Sequence, residues 1–182
     1  DPGAVDIAEL HSGPTPIPSG LRGLLQTPGN LRFISTDVFG NEYVEQPLSA
    51  GNLRRHRYGE TMTQLRSYEV MQPAPPIGGA TGTLPHLFGI HSYMSVQANE
   101  PVLLLDVRIS NGTDGHDLTT TDDDPLDLVY FEDFELEVPP GWVVLQDATD
   151  PFVGVPYNQG GKVRYPLVKP IGDGSMHVMP SQ

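Results

Sequence analysis

Glycine and proline interrupt this chain so often that they leave little room for long helices. Of its 182 residues, 20 are glycine and 19 are proline. Proline fixes φ and removes a backbone donor, and both residues favour turns over regular structure. Between them lie short segments in which apolar and polar residues alternate, as they do in half-buried strands. We therefore predict an all-β protein, an antiparallel β-sandwich of jelly-roll or immunoglobulin-like type with long loops and an extended N-terminal arm.

The alternation predicts individual strands. Within residues 128–138 we expect Leu128 and Tyr130 to share a buried face with Phe134 and the apolar residues after it, while Glu132 breaks the alternation and marks a bulge. Residues 51–58 read as basic and irregular. The predicted strands are 31–35, 38–44, 62–71, 90–98, 102–110, 128–138, 142–146, 163–168 and 175–179.

Proline spacing also predicts the domain organisation. Residues 1–20 contain a proline at every second position from Pro14 to Pro18 and are expected to form an arm that reaches a neighbour. Residues 21–182 are expected to form the sandwich, with an internal boundary near 72–83, where prolines and glycines cluster. The absence of an initiating methionine suggests a processed product or a piece of a longer protein.

The charges are strongly polarised along the chain. The net charge is -13, which argues against binding to nucleic acid, because phosphate affinity depends on lysine and arginine. Four of the ten basic residues nevertheless form a basic cluster, Arg54, Arg55, Arg57 and Arg66. No lysine or arginine occurs between Arg108 and Lys162. We expect the basic and acidic regions to face each other, within one fold or between copies.

The densest part of the acidic region, residues 114–127, is here called the acidic segment. Its carboxylates must face water, bind a cation or meet a basic partner, because burial of unpaired charge is costly. Calcium takes six to eight oxygen ligands, although the spacing does not match an EF-hand. The alternative is a solvated acidic loop. The candidate calcium ligands are Asp114, Asp117, Asp122, Asp123, Asp124 and Asp127, with His116 as a further candidate metal ligand.

Several kinds of site find no support in the sequence. The chain has no cysteine, which excludes disulfides, thiol nucleophiles and cysteine-bound metals. It also lacks a run of about 18 apolar residues, so no transmembrane segment is expected. Neither a G-x-S-x-G elbow nor a phosphate-binding P-loop is present. His91 falls on the polar side of its strand, where an exposed or hydrogen-bonding histidine is expected.

Trp142 has two alternative interpretations. With Tyr130, Phe131, Tyr157 and Tyr165 it could offer flat surfaces on which sugar rings stack. Alternatively, because it follows a Pro-Pro-Gly turn, it closes one end of the hydrophobic core, which we favour. We retain Trp142 as a candidate interaction residue.

Some segments resemble β-sandwich parts of large exported bacterial proteins related to carbohydrate-active enzymes. The segments are Leu84-Pro-His-Leu-Phe-Gly-Ile-His-Ser-Tyr-Met94, Leu105-Asp-Val-Arg-Ile-Ser-Asn-Gly112, Val129-Tyr-Phe131 and Leu136-Glu-Val-Pro-Pro-Gly-Trp142. They carry strand and turn signatures and no catalytic motif. The resemblance implies an extracellular module and assigns no active-site residue.

Together these features predict a non-catalytic extracellular module that binds a protein partner or copies of itself, braced by calcium in its acidic segment. One alternative is a carbohydrate-binding or carbohydrate-active accessory domain of a secreted polysaccharide-degrading enzyme. Another is a structural protein of a virus or phage, which would share the sandwich, the arm and the absence of cysteine.

Overall fold

The computed structural model describes residues 15–27, 29–45, 53–74, 86–111, 128–147 and 149–180. Within these ranges the chain is mostly β structure, with two antiparallel sheets and one short helix. The elements are α1 (Ser19–Gln26), β1 (Arg32–Asp37), β2 (Glu42–Val44), β3 (Leu53–Tyr58), β4 (Met62–Val70), β5 (Gln72–Pro73), β6 (Gly89–Gln97), β7 (Leu103–Ser110), β8 (Leu128–Val138), β9 (Tyr157–Gln159), β10 (Lys162–Val168) and β11 (His177–Pro180). The all-β prediction is confirmed.

The chain divides into two compact units, each assembled from separate stretches of sequence. The first takes its described residues from 15–31, 53–69 and 90–109, and the second from 32–45, 70–89 and 110–180. The first unit contains α1 and the sheet β3-β4-β6-β7, and the second contains a seven-stranded sheet.

In the four-stranded sheet, alternation separates a buried face from an exposed one. On β6, Ile90 and Met94 are buried, whereas His91 is exposed and Tyr93 is half-buried. The same alternation runs along β7, where Leu104 is exposed and its neighbours are half-buried. This is the pattern that the sequence predicts, because successive side chains of a strand point to opposite faces.

Helix α1 contributes apolar residues to the first unit. Leu21, Leu24 and Leu25 are buried at i, i+3 and i+4 spacing, which places them on one side of the helix. Pro18 precedes the first turn, a position that needs no backbone N–H. The preceding residues are also packed: Thr15 is buried and its hydroxyl lies 2.7 Å from that of Thr63. The last part of the expected arm therefore belongs to this unit.

The seven-stranded sheet is organised around β8. Its strands follow the order β5-β2-β1-β8-β10-β9, and β11 also pairs with β8. β1 lies on one side of β8. On the other side, β11 pairs with the first part of β8 and β10 pairs with the last part. β8 is thus the strand on which three sequence-distant segments converge.

A bulge in β8 explains one error in the predicted burial. Thr36 is opposed to Asp133 and Asp37 to Phe131, so Glu132 is the extra residue, as predicted. The bulge reverses the alternation before it. Consequently Phe131 is buried, and Tyr130, which was predicted to be buried, is 45% exposed.

Aromatic rings form the core on one face of this sheet. Phe33 and Phe134 stack with ring centroids 5.2 Å apart; they are diagonal neighbours on paired strands, since Phe33 is opposed to Leu136 and Phe134 to Ser35. Phe88 meets Phe134 and Phe131 edge-on at 5.7 and 5.4 Å. The offset and edge-on geometries are those that the ring quadrupoles favour.

The strand predictions are correct where apolar and polar residues alternate over a long segment, and wrong for an arginine-rich edge strand and for one short segment. The strands predicted at 62–71, 90–98, 102–110, 128–138 and 163–168 match β4, β6, β7, β8 and β10 to within two residues. Residues 53–58, predicted to be irregular, form β3, and α1 was not predicted. Residues 142–146, predicted to be a strand, are in none. No helix in the described part of the chain has the length and apolar character needed to cross a membrane.

Candidate interaction surface

The basic cluster lies on β3 and β4, at one edge of the four-stranded sheet. The Cα atoms of Arg54 and Arg66 are directly opposed in the β3–β4 register. The register shifts between Arg55 and Arg57, which is a bulge-like irregularity in an edge strand. Arg57 and Arg66 are exposed. The strand pairing thus places Arg54 opposite Arg66 and Arg57 opposite Gln64, whereas Arg55 is opposite Leu65. The role of these arginines in an interaction stays a prediction.

Two arginines of the cluster can be assessed for ion pairs within the described residues. Neither Arg57 nor Arg66 forms a salt bridge with an acidic side chain of the described residues. Like charges at opposed positions of neighbouring strands destabilise a sheet. Arg54 is opposed to Arg66 in this register, so an anion bound at this edge would offset repulsion between two positively charged residues.

Aromatic rings continue across the exposed face of the same sheet. His56 meets Tyr93 edge-on at 5.7 Å between centroids, and Tyr68 lies against His91 at 4.3 Å. The guanidinium of Arg108 lies 5.5 Å from the centre of the Tyr93 ring, within cation–π range. The expectation that His91 is exposed is confirmed.

The second unit contains a buried charge network centred on Arg164. Its guanidinium lies 2.9 Å from a carboxylate oxygen of Glu42, 3.1 Å from Glu137 and 3.6 Å from Glu135. Glu137 also accepts a hydrogen bond from Arg32 at 2.9 Å. Arg164, Glu135 and Glu137 are each less than 8% exposed. These residues meet because Arg164, Glu137 and Arg32 occupy one row across β10, β8 and β1.

Tyr157 completes the network at its exposed side. Its hydroxyl donates to the Glu135 carboxylate, at 2.8 and 3.0 Å from the two oxygens. Burial raises the pKa of Glu135, an effect that Tyr157 and Arg164 oppose. Burial and the bond to Glu135 raise the pKa of Tyr157 to about 12. The pKa of Arg164 is raised by its glutamate partners, which outweigh the opposite effect of burial.

Asp133 stands beside this network without an arginine. Its Oδ1 accepts a hydrogen bond from the Thr36 N–H at 2.9 Å. Burial, and next the negative charge of Glu135, raise its pKa to about 6. Asp133 therefore takes up a proton on mild acidification, in a pH range where an ordinary aspartate is ionised.

The charged groups of the network are paired with one another. Arg32 and Arg164 balance two of the three charges of Glu42, Glu135 and Glu137, and each carboxylate has an arginine or tyrosine partner. Buried charge is tolerated only when paired in this way. We therefore interpret these residues as structural.

The predicted calcium ligands cannot be placed, because Asp114, Asp117, Asp122, Asp123, Asp124 and Asp127 lie outside the described residues, as does His116. Elsewhere, among the residues that the structure describes, no three histidine, aspartate or glutamate side chains converge as metal ligands. Asp147 and Asp173 accept hydrogen bonds from the backbone N–H groups of Thr149 and Ser175, which stabilise turns. The calcium site stays a prediction.

The residues considered for a sugar-stacking surface do not share one environment. Phe131 and Tyr165 are buried, and the Tyr165 hydroxyl donates to the Trp142 carbonyl at 3.2 Å. Trp142 itself is only partly exposed, whereas Tyr130 and Tyr157 are exposed. The five rings therefore do not form one exposed platform. Both interpretations of Trp142 stay open.

Sequence reasoning missed the Arg164 network. Alternation along β8 gave a weak signal, since it places Glu135 and Glu137 together on the side opposite the apolar residues without identifying their partners. Their partners Arg32 and Arg164 lie 105 and 27 residues away from Glu137 along the sequence. Only the strand pairing reveals that the four are neighbours.

Comparisons of the chain with family models, curated proteins and solved structures found no match. Its resemblance to modules of carbohydrate-active proteins therefore rests on strand and turn motifs alone.

Proposed function

We propose that this chain is an interaction module whose basic cluster binds the acidic segment of a second copy. The observation that carries this proposal is the direct opposition of Arg54 and Arg66 across β3 and β4, with Arg57 exposed nearby. An acidic partner would remove the repulsion between these positions and replace it with attraction.

Charge complementarity within the sequence favours a second copy as the partner. The acidic segment holds six aspartates and no lysine or arginine. At a net charge of -13, two copies repel each other overall, so their association requires a local contact of opposite sign. The basic cluster and the acidic segment supply such a contact, and it should weaken with salt.

Three further features belong to the proposal. Calcium would bind the acidic segment, and by neutralising its aspartates would compete with the basic cluster. The fold would be an antiparallel β-sandwich of jelly-roll or immunoglobulin-like type. The module would act outside the cell, as its resemblance to exported proteins suggests.

A binding experiment tests the main contact. A peptide of residues 111–127 would be titrated into a chain whose own acidic-segment aspartates are replaced by asparagine, so that the basic cluster is free. We expect binding at low ionic strength that weakens with added salt and is lost on combining Arg57→Glu with Arg66→Glu. Lys169→Glu, an exposed charge change in the second unit, is the matched control.

Two results would reject this function. One is the absence of peptide binding at low ionic strength. The other is equal binding of a peptide in which every aspartate is replaced by asparagine. Binding of an unrelated acidic peptide with the same affinity would retain the basic site and reject the second copy as its specific partner.

A carbohydrate-binding role is the second candidate. The ring pairs Tyr68–His91 and His56–Tyr93 along the exposed face of the four-stranded sheet favour it, since sugars pack on aromatic side chains. A glycan array would test this role. Glycan binding that Tyr93→Ala removes, in a chain that no longer binds the acidic peptide, would favour this candidate over self-association.

A further inference from the structure

β7 is the last strand on one side of the four-stranded sheet. Among the described strands it pairs with β6 only, so one side of an eight-residue strand has no strand partner there. An edge strand presents a row of backbone donors and acceptors, which can bind another strand.

The other edge of the same sheet is protected. β3 carries three arginines and an irregular register, and charges and bulges both discourage edge-to-edge pairing. β7 has neither proline nor glycine, and its apolar side chains are only partly covered. Leu104 is 53% exposed, and Leu105, Val107 and Ile109 are half-buried. Of the two edges of this sheet, β7 is therefore the better suited to backbone pairing with another strand.

We propose that β7 pairs with β7 of a second copy as an antiparallel strand, with Val107 at the two-fold axis. In this register Asp106 of each copy lies opposite Arg108 of the other, and Leu105 lies opposite Ile109. The pairing is symmetric, as expected for a homodimer. Opposite charges and apolar residues at opposed positions both stabilise paired strands. The two four-stranded sheets become one continuous sheet.

The charges select this register over its neighbours. An axis at Asp106 places two aspartates opposite each other, and an axis at Arg108 does the same with two arginines. An axis at Leu105 places Asp106 opposite Leu104. Only the axis at Val107 pairs opposite charges on one face and apolar residues on the other.

The geometry of a single copy is compatible with this pairing. Arg108 and Asp106 are 3.3 Å apart and both exposed, so their mutual contact is a weak, solvent-screened one. Arg108 also lies over Tyr93, on the exposed face of the sheet. Both charges are therefore accessible for pairing across the interface.

This inference does not depend on the proposed function, since the basic cluster lies at the β3 edge.

Exchanging the charges of Asp106 and Arg108 tests the inference. In sedimentation equilibrium at 0.3 M salt, where the contact of the basic cluster is screened, we expect a concentration-dependent dimer. Arg108→Asp alone should weaken dimerisation about tenfold or more, because both cross-strand pairs become repulsive. Combining Asp106→Arg with Arg108→Asp should restore it.

Disulfide crosslinking tests the register. The chain has no cysteine, so Val107→Cys introduces a single thiol. Opposed Cα atoms in paired strands are about 4.5–5.5 Å apart, which a disulfide can span. In Leu104→Cys, the matched control, the two thiols are six positions out of register, about 20 Å apart. We expect oxidation to crosslink the Val107→Cys variant and leave the control monomeric under denaturing electrophoresis.

Each alternative outcome overturns the proposal. A chain that stays monomeric at all concentrations refutes it, as does a dimer that Arg108→Asp leaves unchanged. Crosslinking of Leu104→Cys as efficient as that of Val107→Cys refutes the register. Circular dichroism establishes that each variant retains its β structure, so that a folding defect is not mistaken for loss of the interface.

Discussion

Replacing Arg164 by methionine should strongly destabilise the second unit. Methionine retains much of the aliphatic length of arginine but removes the charge. Glu137 keeps Arg32 as a partner, whereas Glu135 loses its only arginine among the described residues. Removing one member of a buried ion pair costs about 3–5 kcal/mol, because the remaining charge stays buried without a partner. We therefore expect Arg164→Met to lower the free energy of unfolding by an amount in that range at pH 8.

The loss should depend on pH, which separates this explanation from a simple packing defect. Without Arg164 the pKa of Glu135 rises further, so the folded state takes up a proton at a pH where the unfolded chain does not. Stability of the Arg164→Met variant should therefore recover as the pH falls from 8 towards 5. Adding Glu135→Gln should recover part of the loss at pH 8, because it removes the unpaired charge.

Urea unfolding followed by tryptophan fluorescence measures these effects. Trp142 is the only tryptophan and belongs to the second unit, where Arg164 lies. Lys169→Met is the matched control: Lys169 is exposed in the second unit, and its substitution should change the free energy of unfolding by less than about 0.5 kcal/mol. A loss below about 1 kcal/mol for Arg164→Met, or a large loss that neither low pH nor Glu135→Gln reduces, would refute the reasoning.

Three further predictions concern other parts of the chain. The pKa of Asp133 is raised to about 6, so between about pH 4 and pH 6 the unfolded carboxyl is ionised while the folded one keeps its proton, and the free energy of unfolding falls as the pH rises through this range. Asp133→Asn should abolish this fall and, allowing for solvent screening, stabilise the chain at pH 7 by about 1–2 kcal/mol. A Cβ at Gly154 would lie 2.7 Å from the Cβ of Pro166, so Gly154→Ala should cost about 1–3 kcal/mol in urea unfolding, whereas Gly23→Ala, in open space on α1, should be neutral or slightly stabilising. Calcium should raise the melting temperature relative to a chelated sample, because at 100 times its dissociation constant it should add about 2.7 kcal/mol to the free energy of unfolding. Replacing the acidic-segment aspartates by asparagine should abolish that rise.

The sequence predicts the strands best where apolar and polar residues alternate without interruption. β7 and most of β8 follow strict alternation, and their bounds agree with the prediction to within one residue. The prediction failed at β3 because three arginines in six residues obscure the alternation of an edge strand. It failed at α1 because an eight-residue segment with two glycines has weak intrinsic helix propensity, and burial of its leucines against the unit supplies the missing stability.

The candidate surfaces were only partly predictable. The clustering of Arg54, Arg55, Arg57 and Arg66 is visible in the sequence because these residues are close together along the chain. The opposition of Arg54 and Arg66 depends on the register between β3 and β4, which the sequence alone does not specify. The Arg164 network depends in the same way on pairing between distant strands.

The position of β8 has a consequence for synthesis of the protein. β1 pairs with β8 through residues such as Arg32 and Glu137, which are 105 positions apart. At roughly 5–20 residues per second, β1 leaves the ribosome on the order of 5–20 seconds before its partner is translated. During that interval the buried side of β1 has no native neighbour on β8, and the nascent chain must avoid off-pathway association. β10 and β11 arrive later still, so the larger sheet can close only after β11, His177–Pro180, has been translated.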